Sequence, residues 1–282
     1  MRDATRIGDR LMDRLISRAL SAWFSVADPW RVRRARRRRT GVLEAPSVSV
    51  PLATYDRVSL VVERTIPALL GQTHADIEVI VVGDGTPLPV WRPMEALGDE
   101  RVVARRLRRR TRYPRTPLER WMVAGWRPRR VAARLSRGDW LLWMSDDDII
   151  LPTGVADLLR AAEEHPEAEV ITGAYYVGSD RSRTRSPGDG RSGLDFVASG
   201  MPAMLVRRDL AGISWNRHSW RKRWNRPSDY DLMDRLHRAG ARFAATDALI
   251  AMVPEVEGTG LVGSRGSIEE DRRRRAVRRP SA

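Results

Sequence analysis

A chain of 282 residues, 42% of them hydrophobic, can bury a sizeable core and form about one large domain or two small ones. With no cysteine at all, a disulfide framework, a thiolate metal site and a cysteine nucleophile are excluded, and no stretch approaches the ~18 uninterrupted apolar residues of a membrane span. The formal charge of +15 favours an anionic partner, but Lys222 is the only lysine, and so one-sided an arginine usage fits a GC-rich genome as well as it fits a ligand.

Residues 1–45 read as a basic amphipathic leader. In DRLMDRLISRALSAWF the apolar Leu11, Met12, Leu15, Ile16, Leu20 and Trp23 recur every three or four residues, which describes one stripe of a helix from Asp9 to Phe24. The RVRRARRRR that follows either docks on an anionic membrane surface or nucleic acid, or is a solvated arm beside a helix packed on its own domain. No short apolar region with a cleavage site opens the chain, so a cytoplasmic location without a signal peptide is expected.

Residues 46–264 alternate strand-like and helix-like segments. Val48–Leu52 is a short β-branched strand, and 57–72 has helical spacing interrupted by Pro67. Ile77–Val82 is so apolar that helices should cover both its faces. Further strands are expected at 101–107, 140–144 and 170–172, and helices at 129–136 and 152–164, with Pro152 suited to a first helical position. Gly178–Gly193 reads as a flexible insertion and 265–282 as a basic, disordered tail. Strand alternating with helix predicts an α/β fold with a mostly parallel sheet flanked by helices, its nucleotide-binding half in 46–150 and its acceptor half in 151–264.

In such sheets ligands bind beyond the carboxyl ends of the strands. There the sequence places GDGT (83–86) after one strand and SDDD (145–148) after another. Three adjacent carboxylates, Asp146, Asp147 and Asp148, raise one another's pKa unless a cation neutralises them. Mg²⁺ or Mn²⁺ would do so with one or two carboxylates and substrate phosphates; the plainer possibility is that the three acids cap the helix near Pro152.

The ordered set VSVPLATYDR, QTHADIEVIVVGDGT, GDWLLWMSDDDIILP and SDYDLMDRLHRAG, spanning about Pro46 to Pro254, resembles family 2 glycosyltransferases of the GT-A fold. Ala53 stands where that family usually has proline, Gly83 and Ser145 where it usually has acids. The resemblance implies transfer of a sugar from a nucleotide-diphosphate donor to an acceptor hydroxyl, with inversion and a divalent metal on the diphosphate. It implies that Tyr55 and the Ala53 backbone line the base, that Asp84 hydrogen-bonds it, that Asp146 and Asp147 face the ribose and the metal, with Asp147 the direct ligand, and that Asp229 is the general base.

Asp229 follows Ser228, a candidate N-cap, and by itself equally suits a first-turn acid favoured by the helix dipole. Among Arg127, Arg129, Arg130 and Arg134 one is expected to reach the diphosphate, Arg127 and Arg130 being the first candidates. In SWNRHSWRKRWNR, Trp215, Trp220 and Trp224 interleave with cations; Trp220 and Trp224 suit an acceptor-side loop, or the segment is a flap packing its tryptophans on the core. Two other functions stay open: a nucleic-acid-binding protein working through its arginine runs, and a nucleotidyltransferase of related fold.

Overall fold

The computed structural model describes residues 2–39, 46–178, 180–185, 204–221 and 223–253. The first helix, α1 (Arg2–Arg38), has 37 residues with Pro29 inside it, so the arginine run is helical and not a solvated arm. Arginine is a good helix former, and cations in a last turn suit the helix dipole. The run is also anchored. Val32 and Ala35 are buried, Arg36 donates to both oxygens of buried Glu169 at 2.9 and 2.6 Å, and Arg39 donates to Asp209 at 2.8 and 3.0 Å.

The body is one sheet carrying strands from both halves of the sequence. Strand β1 (Val48–Thr54) precedes α2 (Val58–Leu60), which runs through a π-helical turn (Val61–Thr65) into α3 (Ile66–Leu70). The helix therefore survives Pro67. Proline has no N–H to donate and its ring crowds the carbonyl four residues back, and the widened turn just before it takes up that misfit. Next come β2 (Ile77–Gly83), α4 (Leu88–Glu95), β3 (Val102–Arg106), α5 (Pro117–Met122), α6 (Trp126–Leu135) and β4 (Trp140–Trp143). The second half adds β5 (Ile149–Ile150), α7 (Gly154–Glu164), β6 (Val170–Val177), β7 (Asp180–Arg185), β8 (Met204–Arg207), a 3₁₀ turn (Arg208–Leu210), α8 (Ser228–Arg238) and β9 (Phe243–Val253).

The strand order is β3-β2-β1-β4-β8-β6-β9-β5, with β7 beside β6. Strands β3, β2, β1 and β4 are mutually parallel; β8 then runs antiparallel to both β4 and β6, so the sheet is mixed beyond β4. Strand alternation explains the unbroken apolar runs. Val48, Val50, Leu52, Val79 and Val81 face the core under α2, α3, α4 and α7, with Trp140 and Leu142. Ile80 and Val82 face Ala132 of α6, and Leu141 and Trp143 face the core that includes Leu232 and Leu236 of α8 and Val32 and Ala35 of α1.

Several boundaries differ from expectation. Helix α7 begins at Gly154, two residues past Pro152, which lies in a turn closed by the Gly154 N–H on the Leu151 carbonyl at 2.8 Å; the start abuts β9, and a Cβ on Gly154 would lie 2.6 Å from the Ile250 carbonyl oxygen. Strand β6 extends past 172 through Gly173, where Ile250 fills the space a side chain would need. Part of the expected insertion, 180–185, is a strand paired with β6; 186–193 and the tail lie outside the described residues.

Candidate active site

Strands β1 and β2 end in register, Thr54 beside Gly83, so Tyr55 and Asp84 leave the sheet as neighbours. Buried Ala53 allows a close approach: a Cβ on Gly125, which has a left-handed φ of 72°, would sit 3.3 Å from the Ala53 methyl. The Arg110 guanidinium covers the Tyr55 ring at 3.6 Å, a cation–π contact on a flat face. Buried Asp84 accepts from the Thr111 N–H at 3.0 Å, the Thr111 hydroxyl at 2.5 Å and the Tyr113 hydroxyl at 2.5 Å. A carboxylate has about four acceptor positions, so roughly one remains for a ligand. Burial, then Asp84, pushes the Tyr113 phenol up and keeps it a donor.

The loop after β4 divides its three acids. Asp148 turns back and accepts from the Ser145 N–H at 2.7 Å, closing the turn; burial, then Asp147, pushes its carboxyl up to about 7. It is buried in that turn. Asp146 and Asp147 stay at the rim, and their backbone oxygens accept from Thr65 at 2.8 Å and Arg64 at 2.6 Å. Arg57 bridges the two carboxylates, donating at 2.5 Å to Asp147 and 3.4 Å to Asp146. Desolvation, then Asp147, raises the Asp146 pKa against the pull of Arg57. None of the three acids caps α7.

Two adjacent carboxylates fit Mg²⁺ or Mn²⁺, which are usually bound by one or two carboxylates together with substrate phosphates. Among the described residues no group of three acidic or histidine side chains could hold a metal ion unaided. The pair fits a metal that completes its shell with the donor, and Arg57 competes for the same oxygens.

Asp229 lies in the first turn of α8; the helix begins at Ser228, so Pro227 rather than Ser228 is the N-cap residue. Its carboxylate accepts from the Tyr230 N–H at 3.0 Å. Though partly exposed, it is crowded enough for desolvation to raise its pKa, and the opposing charge is Arg129. That same guanidinium weakly opposes the rise of the Asp146 and Asp148 carboxyls, whose largest cause is burial. Its Nη1 donates to the Ala124 carbonyl at 2.8 Å, its charge covers Trp215 at 4.7 Å, and its buried Nε has no partner. Arg127 is exposed, and burial, followed by the charges of Arg134, Arg217, Arg31 and Arg235, lowers the pKa of Arg130. Asp231 points away, held by Arg226 at 2.9 Å.

The tryptophans separate as well. Trp215 is buried edge-on against Trp143 at 5.5 Å, beneath Arg129. Trp220 is covered by Arg221 at 4.9 Å, and Trp224 packs on Phe24 of α1 at 6.3 Å, so Trp224 serves the contact with the first helix. Sequence reasoning had not singled out Arg57, Thr111 or Tyr113 for these places, and had named Arg129 only as one of four arginines for the diphosphate. The signal for Arg57 was its position two residues after Tyr55; Thr111 and Tyr113 were hidden in RRRTRYP.

A glycosyltransferase of Haemophilus influenzae, itself described as uncharacterized, is 30% identical over 129 residues, which is 44% of this chain and 37% of that protein. Among solved structures, S. aureus TarS 1-349 in complex with UDP-GlcNAc superposes with a TM-score of 0.58 at 17% identity, over 76% of this chain and 60% of that one. Mannosyltransferase PcManGT from Pyrobaculum calidifontis, in complex with GDP-Man and Mn²⁺, gives 0.56 at 13% identity over 96% and 77%. These likenesses show a GT-A fold. The chain spans well under two thirds of the Haemophilus relative and 60% of the TarS fragment. The model of glycosyl transferase family 2 matches residues 49–207, from β1 to the end of β8, taking in Tyr55, Asp84, Asp146 and Asp147 and ending before Asp229. That match covers more than half of the chain, which therefore belongs to glycosyl transferase family 2.

Proposed function

We propose that the protein is an inverting, metal-dependent glycosyltransferase that moves a sugar from a nucleotide-diphosphate donor to an acceptor hydroxyl. The observation carrying this is that β1 is the parallel neighbour of both β2 and β4, so that Tyr55, Asp84 and the Asp146–Asp147 pair follow the carboxyl ends of adjacent strands, where sheets of this kind bind ligands. Tyr55, Ala53 and the free acceptor position of Asp84 receive the base. Asp146 would take the ribose, and Asp147 would hold a divalent ion, which would supply charge neutralisation at the diphosphate.

In the transfer step the acceptor oxygen attacks the anomeric carbon from the face opposite the leaving group. The new carbon–oxygen bond forms as the bond to the diphosphate breaks, and Asp229 takes the acceptor proton. A raised carboxylate pKa suits a base, because the group then holds its proton more firmly. Arg129, with its unpartnered Nε, stabilises negative charge developing on the diphosphate. The complexes of TarS with UDP-GlcNAc and of PcManGT with GDP-Man and Mn²⁺ support a nucleotide-sugar donor and a divalent ion. We place the enzyme in the cytoplasm, its first helix peripheral to an anionic membrane surface.

A nucleic-acid-binding role is less favoured, because residues 49–207 match glycosyl transferase family 2 and two arginines of the basic run, Arg36 and Arg39, are engaged with Glu169 and Asp209. The test is a thermal-shift screen of nucleoside diphosphates and nucleotide sugars with Mn²⁺, where a ligand of the native state raises the melting temperature by mass action, followed by nucleotide release from the best donor. Tight, salt-sensitive DNA binding without any nucleotide response overturns the proposal.

A further inference from the structure

Helix α1 has two apolar sides. One packs on the domain: Ser17, Ala27, Asp28, Val32 and Ala35 are buried, and both acids of α1 with described side chains turn that way, Asp13 to Arg221 and Asp28 to Arg235. The other side carries Met12, Leu15, Trp23, Val26 and Trp30, each between 56% and 72% exposed. With Ala19, also exposed, these positions step by three or four residues and so form one row, about 27 Å long at 1.5 Å per residue. Exposed arginines border the row, Arg18 toward one end and Arg33, Arg34, Arg37 and Arg38 at the other. Arg34 stacks over Trp30 at 5.2 Å.

We infer that this outward row of α1 is a docking surface for an anionic lipid bilayer, with the helix lying in the plane of the headgroups. A large apolar row with tryptophans, edged by arginine and free of acids, is the composition of an interfacial helix. Among the described residues no helix is long and apolar enough to cross a membrane, so the row lies on the bilayer. Charge decides against the other occupants. A second copy of this chain would bring arginines against arginines with no acid between them. Nucleic acid would satisfy the arginines and stack on the tryptophans, yet it offers nothing to Met12, Leu15 and Val26. The inference deepens the reading of a peripheral enzyme and stands apart from its transfer chemistry.

The test uses the full chain and vesicles of phosphatidylcholine with or without phosphatidylglycerol. Co-sedimentation is expected with the anionic vesicles and weak with the neutral ones. Trp23→Ser with Trp30→Ser should weaken binding at least about tenfold, and Arg33, Arg34, Arg37 and Arg38 all changed to Ser by more than about a hundredfold. Both variants should keep the wild-type melting temperature and nucleoside-diphosphate binding, so a failure here is distinct from a failure of the transferase proposal. Because the chain has no cysteine, Val26→Cys accepts a single polarity-sensitive fluorophore without disturbing the charges. Its emission should rise on anionic vesicles, while the same label at the exposed Glu95→Cys stays silent. Absence of wild-type binding, binding indifferent to both variants, an unresponsive Val26 label, or a dimer that dissolves in the tryptophan variant overturns the inference.

Discussion

The Arg57 guanidinium lies 2.5 Å from the Asp147 carboxylate and 3.4 Å from that of Asp146, and so occupies the oxygens that a divalent ion would take. Cation and metal compete. Arg57→Ala should raise Mn²⁺ affinity about fivefold, the equivalent of the roughly 1 kcal/mol that a partly exposed ion pair is worth. It should also lower the melting temperature without metal, since the carboxylates then face each other unscreened. Calorimetric Mn²⁺ titration checks this; weaker binding in the variant would mean that Arg57 helps to assemble the metal site.

Asp147→Ala should abolish metal-dependent turnover and leave the fold in place. The side chain is partly exposed and its hydrogen bond is to Arg57, while the backbone oxygen that Arg64 holds remains. Nucleotide release and circular dichroism on one preparation decide it. Wild-type turnover in the variant, or full activity of the native enzyme in excess chelator, would refute the assignment.

Asp229→Asn should reduce transfer by about 10²–10⁴-fold while donor affinity stays near normal. The amide keeps the shape and loses the basicity, and general-base contributions are of that size. Donor affinity is measured by calorimetry and transfer by nucleotide release. An equal loss of both would make Asp229 a structural first-turn acid.

His218 sets a pH signature. Burial, followed by Arg217 and Arg221, pushes its imidazole down to about 4, below the usual value near 6.5. Between those values the unfolded chain binds a proton that the folded chain refuses, so this residue's contribution to stability is lost as pH falls through the window. Asp148 slopes the other way, because its raised carboxyl favours the folded state as pH falls. The informative quantity is therefore a difference: His218→Gln should lose less melting temperature than wild type between pH 7 and pH 5, a range set by the usual histidine value of about 6.5. Parallel melting curves would remove His218 from that role.

The strands that build the site were legible because buried parallel strands are apolar on both faces: Val48–Leu52 became Val48–Thr54, and Trp140–Met144 became Trp140–Trp143. Asp146 and Asp147 were legible for a related reason, since such runs end where ligands bind. What stayed hidden depended on the chain returning. Asp148 closes a turn on Ser145, which charge alone does not reveal. Arg57 meets Asp147 across 90 residues, and among so many arginines nothing marks it as special, just as nothing separates Arg129 from the three arginines beside it. In the leader, the expected single stripe merged two sides of one helix: Ile16 and Leu20 are partly covered, while Met12, Leu15 and Trp23 face outward.

Arg235 of α8 donates to both oxygens of Asp28 in α1, at 2.8 and 3.0 Å, and both side chains are buried. Removing one partner from such a pair typically costs about 3–5 kcal/mol, because the other charge is left in the interior. The helix that carries Asp229 therefore cannot be separated from a segment that lies outside residues 49–207, and the two should open as one cooperative unit. In native-state hydrogen exchange the amides of 27–38 and those of α8 should share a single opening free energy and a single denaturant dependence.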